Sequence, residues 1–211
     1  MEKRDTVCVQ FTRGMAPAIA IAATVTACVK RGIEYKLITG KPAPDAKNEA
    51  AAFAHSTGRN LILCEDDFLA EPEMWEKAVN NDSEQVLVGS ALMRNGELNC
   101  WFQGERLVYS GTVFVVIPWV ALDAIGAPWF LARDLEFSGA GDGSWKDCGP
   151  NYDGHHSDTW LYYRCWESGI KPIVAGFVTH LSHPFNNAVR QLNIPNDIKP
   201  LGMMNCKKTV N

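Results

Sequence analysis

The chain has 211 residues, of which 46% are hydrophobic and 21% charged, and carries a formal net charge of −4 with a pI near 5.7. That length can bury one sizeable core, and the composition excludes wholesale disorder. The acidic balance and the lack of a familiar nucleic-acid-binding motif argue against tight non-specific DNA binding. Met1-Glu-Lys-Arg-Asp5 lacks the apolar core of a signal peptide, and the alanine-rich stretch 15–29 is too short to span a bilayer comfortably, so a soluble cytoplasmic protein with no membrane segment is expected. Seven cysteines are scattered without a CxxC pair, which suggests reduced, buried thiols and gives a zinc ribbon no support.

Val7–Phe11 reads as a first strand, followed by a helix over 17–31 with Pro17 early and Lys30-Arg31-Gly32 as a basic last turn and stop. Glu34–Thr39 is a second strand. After the Gly40-Lys-Pro-Ala-Pro44 loop, Asp45 caps a helix through His55 with Ala46, Ala50 and Phe53 on one face. A strand over 60–64 leads to Glu65-Asp66-Asp67, then to a helix of about ten residues from Pro72. Gln85–Gly89 is a further strand. The alternation predicts an α/β fold with a mostly parallel central sheet and helices on both faces.

In the second half, 99–102 and 107–109 read as short strands around Gly104, Gly111–Ile117 as a longer one, and Trp119–Ile125 as a short helix. Residues 134–156, with five glycines and much Asp, Ser and Asn, read as a long irregular loop of the functional or mobile kind. It ends where Ser157 or Asp158 can cap a helix to Ser168-Gly169. A last core strand runs over 170–179 and delivers His180, and 184–211 reads as a tail. No internal repeat or linker is visible.

The acidic triplet carries the most chemistry. Three adjacent carboxylates at the end of an apolar strand sit at the carboxyl edge of a sheet, where open α/β sheets bind ligands. Like charges that close favour a hard divalent cation among them, and Mg²⁺ or Mn²⁺ usually brings substrate phosphates. The alternative is a solvated acidic turn ahead of a helix whose Glu71, Glu73 and Glu76 suit its first turns. Charge is also segregated along the chain: residues 1–60 balance at +4, 61–170 at −12 and 171–211 at +4. That pattern fits an acidic metal-holding half beside phosphate-attracting ends, or a surface that is merely mottled once folded.

Taken in order, these segments resemble the nucleotide-sugar-dependent glycosyltransferases of the GT-A fold (family-2-like, compact, bacteriophage-type) over residues 7–183. Glu65-Asp66-Asp67 is similar to their Asp-x-Asp motif, and Ala46-Lys47-Asn48 to their Ala-Arg-Asn helix. Ser110-Gly111-Thr112 resembles the turn lining the acceptor side. Ser157-Asp158-Thr159 with Tyr163-Arg-Cys-Trp-Glu-Ser-Gly169 resembles the Glu-Asp segment, with Ser157 in place of its first carboxylate. The resemblance implies one Rossmann-like GT-A domain over 1–183, with a nucleotide and donor half to about 98, an acceptor half over 99–183, and the tail beyond. It implies a metal-dependent glycosyltransferase using Mn²⁺ or Mg²⁺ and a nucleotide-sugar, a UDP-sugar foremost.

Within that resemblance Asp67 is the leading metal ligand, Glu65 acts on metal through water or on sugar hydroxyls, and His180 completes the site with His183 as rival. Thr12, Arg13, Lys41, Lys47, Asp66 and Gly111 are the remaining donor contacts, although a solvated basic rim is the commoner fate of a lysine. Asp158 is the candidate base for the acceptor hydroxyl or a helix cap, His156 the substitute base, and Asp153 an acceptor contact. Trp129, Trp145, Tyr152 and Trp160 suit stacking or core packing. The implied acceptor is a hydroxymethylated pyrimidine in phage DNA, placing the protein in the host cytoplasm if viral, with a glycan or protein as alternatives. A sugar-phosphate nucleotidyltransferase and a non-catalytic nucleotide- or sugar-binding module remain rivals.

Overall fold

A computed structural model describes residues 4–12, 17–81, 85–91, 98–138, 144–150 and 157–181. Arg13, Tyr152, Asp153, His156, His183 and the tail from 184 lie outside the described residues. Seven strands form the central sheet: β1 (Thr6–Thr12), β2 (Glu34–Thr39), β3 (Asn60–Glu65), β4 (Phe68–Ala70), β5 (Leu87–Ala91), β8 (Phe114–Ile117) and β11 (Ile173–His180). They lie in the order β2-β1-β3-β8-β5-β11-β4. Two separate hairpins, β6 (Cys100–Gln103) with β7 (Arg106–Ser110) and β9 (Arg133–Ser138) with β10 (Ser144–Pro150), complete the strands.

The α/β class and the helices on both faces agree with the sequence, whereas the sheet is mixed. The pairs β1–β2, β1–β3 and β5–β11 are parallel, but β3–β8, β5–β8 and β4–β11 are antiparallel. Helices connect the strands of the first half and permit parallel pairing there. β8 is reached through the β6–β7 hairpin, and β4 follows β3 after a two-residue turn, so both enter the sheet reversed.

The core strands are apolar on both faces because both faces are covered. Val7, Val9, Phe11, Leu61, Leu63, Val115 and Ile117 point toward α2 (Ala43–Ser56), α4 (Trp119–Ile125) and α5 (Ser157–Glu167). Cys8, Ile62, Cys64, Phe114 and Val116 point the other way, toward α1 (Ala18–Arg31) and α3 (Pro72–Val79). Alternation therefore vanishes from the strand sequences. Each fully buried Leu, Ile or Val contributes roughly 1.5–3 kcal/mol. Cys8, Cys28, Cys64 and Cys165 are buried free thiols, and Cys100 and Cys148 are also unbridged. Alanines 46, 50, 51 and 54 let α2 lie close on the sheet.

Two elements differ from the sequence reading in kind. The β9–β10 hairpin occupies much of the segment expected to be irregular, with Trp145 opposite Phe137 and Arg133 bound to Asp147 at 2.6 Å. β10 is mostly polar and exposed, and only Leu135 and Phe137 alternate in β9, too short an apolar pattern to announce the hairpin. β4 is only three residues long, too short to leave a pattern. No helix among the described residues is long and apolar enough to cross a membrane.

Candidate active site

The topology gathers one set of side chains at one sheet edge. β1, β2, β3 and β11 run the same way, so Thr12, Lys41, Glu65 and His180 sit at or just beyond their carboxyl ends. Because β8 is reversed, its beginning lies at that same edge, and the Glu65 amide donates to the Val113 carbonyl at 3.0 Å. This brings Gly111 and Thr112 beside the acidic triplet. β4 is reversed too, and its first residue, Phe68, is the register partner of His180. Asp67 therefore ends beside His180, with Oδ2 3.2 Å from Nε2.

A second cluster is built from α2, β3, the 111–113 turn and α5. Lys47 is 1% exposed, and its Nζ donates to Thr112 Oγ1 at 2.6 Å and to Asp158 Oδ1, with Glu65 Oε1 at 3.4 Å. Asp158, in the first turn of α5, also accepts from Thr112 Oγ1 at 2.7 Å on Oδ1 and from the Thr112 amide at 3.2 Å on Oδ2. The Phe11 and Phe130 rings flank the ammonium at 5.2 and 5.8 Å. Lys47 is thus neither a solvated rim charge nor an open phosphate contact.

Burial sets the charges of this cluster against one another. It pulls the Lys47 pKa down, but Asp158 and Glu65 outweigh it and raise the value above an ordinary lysine, so the ammonium stays charged. Burial also disfavours the Asp158 carboxylate, yet Lys47 and the Thr112 hydrogen bonds hold it below the ordinary aspartate value. For Glu65 burial dominates, Lys47 only partly opposes it, and Asp158 and Asp67 add repulsion, so its pKa is raised. Two carboxylates share one ammonium, and the nearer one takes most of the benefit.

The other sequence candidates have plain positions. Thr12 is buried at the end of β1. Lys41 is exposed and paired with Glu49. Asp66 occupies the turn between β3 and β4. Gly111 owes its missing side chain to Asn99, whose Nδ2 would lie 2.7 Å from an added Cβ. Trp129 and Trp160 are core residues whose indole N–H groups donate to Leu122 and Pro128 carbonyls, each at 2.8 Å. Trp145 packs on Phe137, which in turn meets Trp101.

Two supporting residues have roles that the sequence reading did not assign. Gln10 is fully buried, takes a 2.9 Å bond from Tyr35 and donates to the Glu65 carbonyl at 3.2 Å, fixing the strand end that carries the triplet. Asn48 holds Trp129 and Phe130 through their backbone, with Oδ1 accepting from both amides at 3.0 Å and Nδ2 donating to the Phe130 carbonyl at 2.5 Å. A polar residue inside an apolar strand was the available signal for Gln10. Nothing in the local sequence reveals the bonds of Asn48.

Among the described residues no group of three or more His, Cys, Asp and Glu side chains is arranged to hold a metal. The Asp67–His180 pair nonetheless supplies an oxygen and a nitrogen at 3.2 Å, close enough to share one ion. The carboxylate suits a hard ion such as Mg²⁺ or Mn²⁺, whereas the imidazole nitrogen is a softer ligand than Mg²⁺ prefers.

No protein-family model matches the chain, and no curated protein matches it. Solved structures do resemble it. A197 from STIV superposes with a TM-score of 0.52 at 14% identity, covering 81% of this chain and 82% of that one. The inositol-1-phosphate CTP transferase from T. maritima superposes with a TM-score of 0.50 at 11% identity, covering 91% of this chain and 96% of that one. At such identities the likeness establishes a common α/β fold extending over most of each chain.

Proposed function

We propose that this protein is a metal-dependent glycosyltransferase that moves a sugar from a nucleotide-sugar, a UDP-sugar foremost, to an acceptor hydroxyl. The observation that carries this reading is the convergence, at one sheet edge, of the Asp67–His180 pair with the ionised Asp158 anchored by Lys47. The first suits the leaving diphosphate and the second a proton in transit. Mn²⁺ or Mg²⁺ held by Asp67 and His180 would supply Lewis-acid stabilisation of that diphosphate. Glu65, the looser partner of Lys47, is free to turn toward sugar hydroxyls or a metal-bound water. Thr12, Lys41, Asp66 and Gly111, at the same edge, line the donor side.

In the transfer, the acceptor oxygen bonds to the anomeric carbon as the bond from that carbon to the phosphate oxygen breaks. The nucleoside diphosphate leaves with the bonding electron pair, and the acceptor proton passes to Asp158. A carboxylate is competent for this only while ionised, the state that Lys47 and Thr112 enforce. The acceptor proposed from the family resemblance is a hydroxymethylated pyrimidine in DNA, with a glycan or protein hydroxyl as alternatives.

A second reading is nucleotidyl transfer. Its support is the fold shared with the CTP transferase, over 91% of this chain. One experiment separates the two: thermal stability with nucleoside diphosphates, UDP-sugars and nucleoside triphosphates, each with and without Mn²⁺. Glycosyl transfer predicts Mn²⁺-dependent stabilisation by one diphosphate and its sugar conjugate, through preferential binding to the folded state. Stabilisation by CTP or another triphosphate with none by any diphosphate selects nucleotidyl transfer. No shift with any of them removes both readings.

A further inference from the structure

We propose that Lys47 is a positioning residue whose ammonium aims the Asp158 carboxylate so that Oδ2 receives the acceptor proton. This rests on the glycosyl-transfer reading above. A carboxylate offers about four acceptor positions, two on each oxygen. Asp158 Oδ1 takes both the Lys47 ammonium and the Thr112 hydroxyl, and is filled. Among the described residues Oδ2 takes only the Thr112 amide, at 3.2 Å, and keeps one position open.

The surroundings make that assignment directional. The Lys47 side chain is 2% exposed and that of Asp158 is 18% exposed, so the lysine is enclosed while part of the aspartate side chain reaches the surface, where an acceptor can meet it. Lys47 reaches Asp158 from the second turn of α2, between the Phe11 and Phe130 rings, and could meet a diphosphate only by leaving three oxygens. Glu65, at 3.4 Å, is the partner it can lose. When Glu65 turns toward substrate, Lys47 still pairs with Asp158, and the base remains charged and oriented. One lysine thereby separates two neighbouring carboxylates into a fixed proton acceptor and a movable substrate ligand.

The test uses the full chain and hydrolysis of the UDP-sugar that stabilises it most with Mn²⁺, water serving as acceptor. Lys47→Met keeps the length and removes the charge; Lys47→Arg keeps the charge. The expected result is a fall in kcat of at least about 100-fold for Lys47→Met, the low end of what a positioned base supplies, with KM for the UDP-sugar within about 3-fold of wild type. Lys47→Arg recovers at least a tenth of the wild-type kcat, and adding Asp158→Asn to Lys47→Met costs little more, as expected when two residues act as one unit.

A Lys47→Met variant that raises KM and keeps kcat overturns the proposal and makes Lys47 a donor contact. If Lys47→Met does not fold, Lys47→Gln decides, since its amide can still donate toward Oδ1 while the charge is gone. A fall in kcat of about 10-fold or more at constant KM supports the proposal, and an unchanged kcat overturns it. A wild-type chain that neither binds nor hydrolyses any UDP-sugar overturns the glycosyl-transfer reading itself, whereas normal wild-type turnover with an indifferent Lys47 overturns only this role.

Discussion

Asn48→Ala tests how the site is braced. Asn48 makes three hydrogen bonds to the backbone of Trp129 and Phe130, residues that are 6% and 0% exposed. At about 1 kcal/mol net for each, their loss costs about 3 kcal/mol. The alanine leaves two amides and a carbonyl with poor access to water, which pushes the value toward about 4 kcal/mol. Domains of this kind have a total stability of about 5–15 kcal/mol, so the variant is expected to fold with a much reduced margin. With a urea m-value of about 2 kcal/mol/M, the midpoint falls by about 1.5–2 M. Equilibrium unfolding followed by tryptophan fluorescence reads this directly, because Trp129 reports on the segment being released. Asn48→Asp retains the acceptor for both amides, loses the donor to the Phe130 carbonyl, and should fall between the two. A loss below about 1 kcal/mol for Asn48→Ala, with an unchanged m-value, would refute the idea that this side chain holds the 129–130 segment against α2.

Two further expectations concern the charged residues. Asp67→Asn should abolish the Mn²⁺-dependent part of nucleotide stabilisation and His180→Ala should weaken it; a normal Mn²⁺ titration in His180→Ala would move the nitrogen ligand to His183. Asp158→Asn should keep donor binding, lower turnover by about 10²–10⁴-fold, and flatten the acid limb of stability. The sign follows from linkage: a carboxyl held below its unfolded value of about 3.9 stabilises above that pH, and the contribution is lost as pH falls through the lower folded value. An Asp158→Asn chain whose unfolding between pH 5 and pH 2 parallels wild type contradicts the ion pair with Lys47.

The sequence by itself determined the first half of the chain well. β1, α1, β2, α2, β3 and α3 lie within two residues of where apolar runs, Pro17, Gly32 and Pro72 place them, except that α3 is shorter than expected. Local rules suffice there because each element is covered on a predictable face and bounded by its own stop signals. They also placed Glu65, Asp67, Asp158 and His180 at the ends of elements, which is where side chains can meet. What they could not decide was which would meet. Strand direction alone brings Thr112 and His180 to the edge that carries the acidic triplet, and direction is fixed by long-range pairing of β8 and β4. Lys47 makes the point most directly. As one of three charges on an alanine-rich helix it reads as solvated rim, yet Asp158, 111 residues away in sequence, turns it inward. A lysine is buried when carboxylates converge on it, and convergence belongs to the tertiary structure because no local window contains both partners.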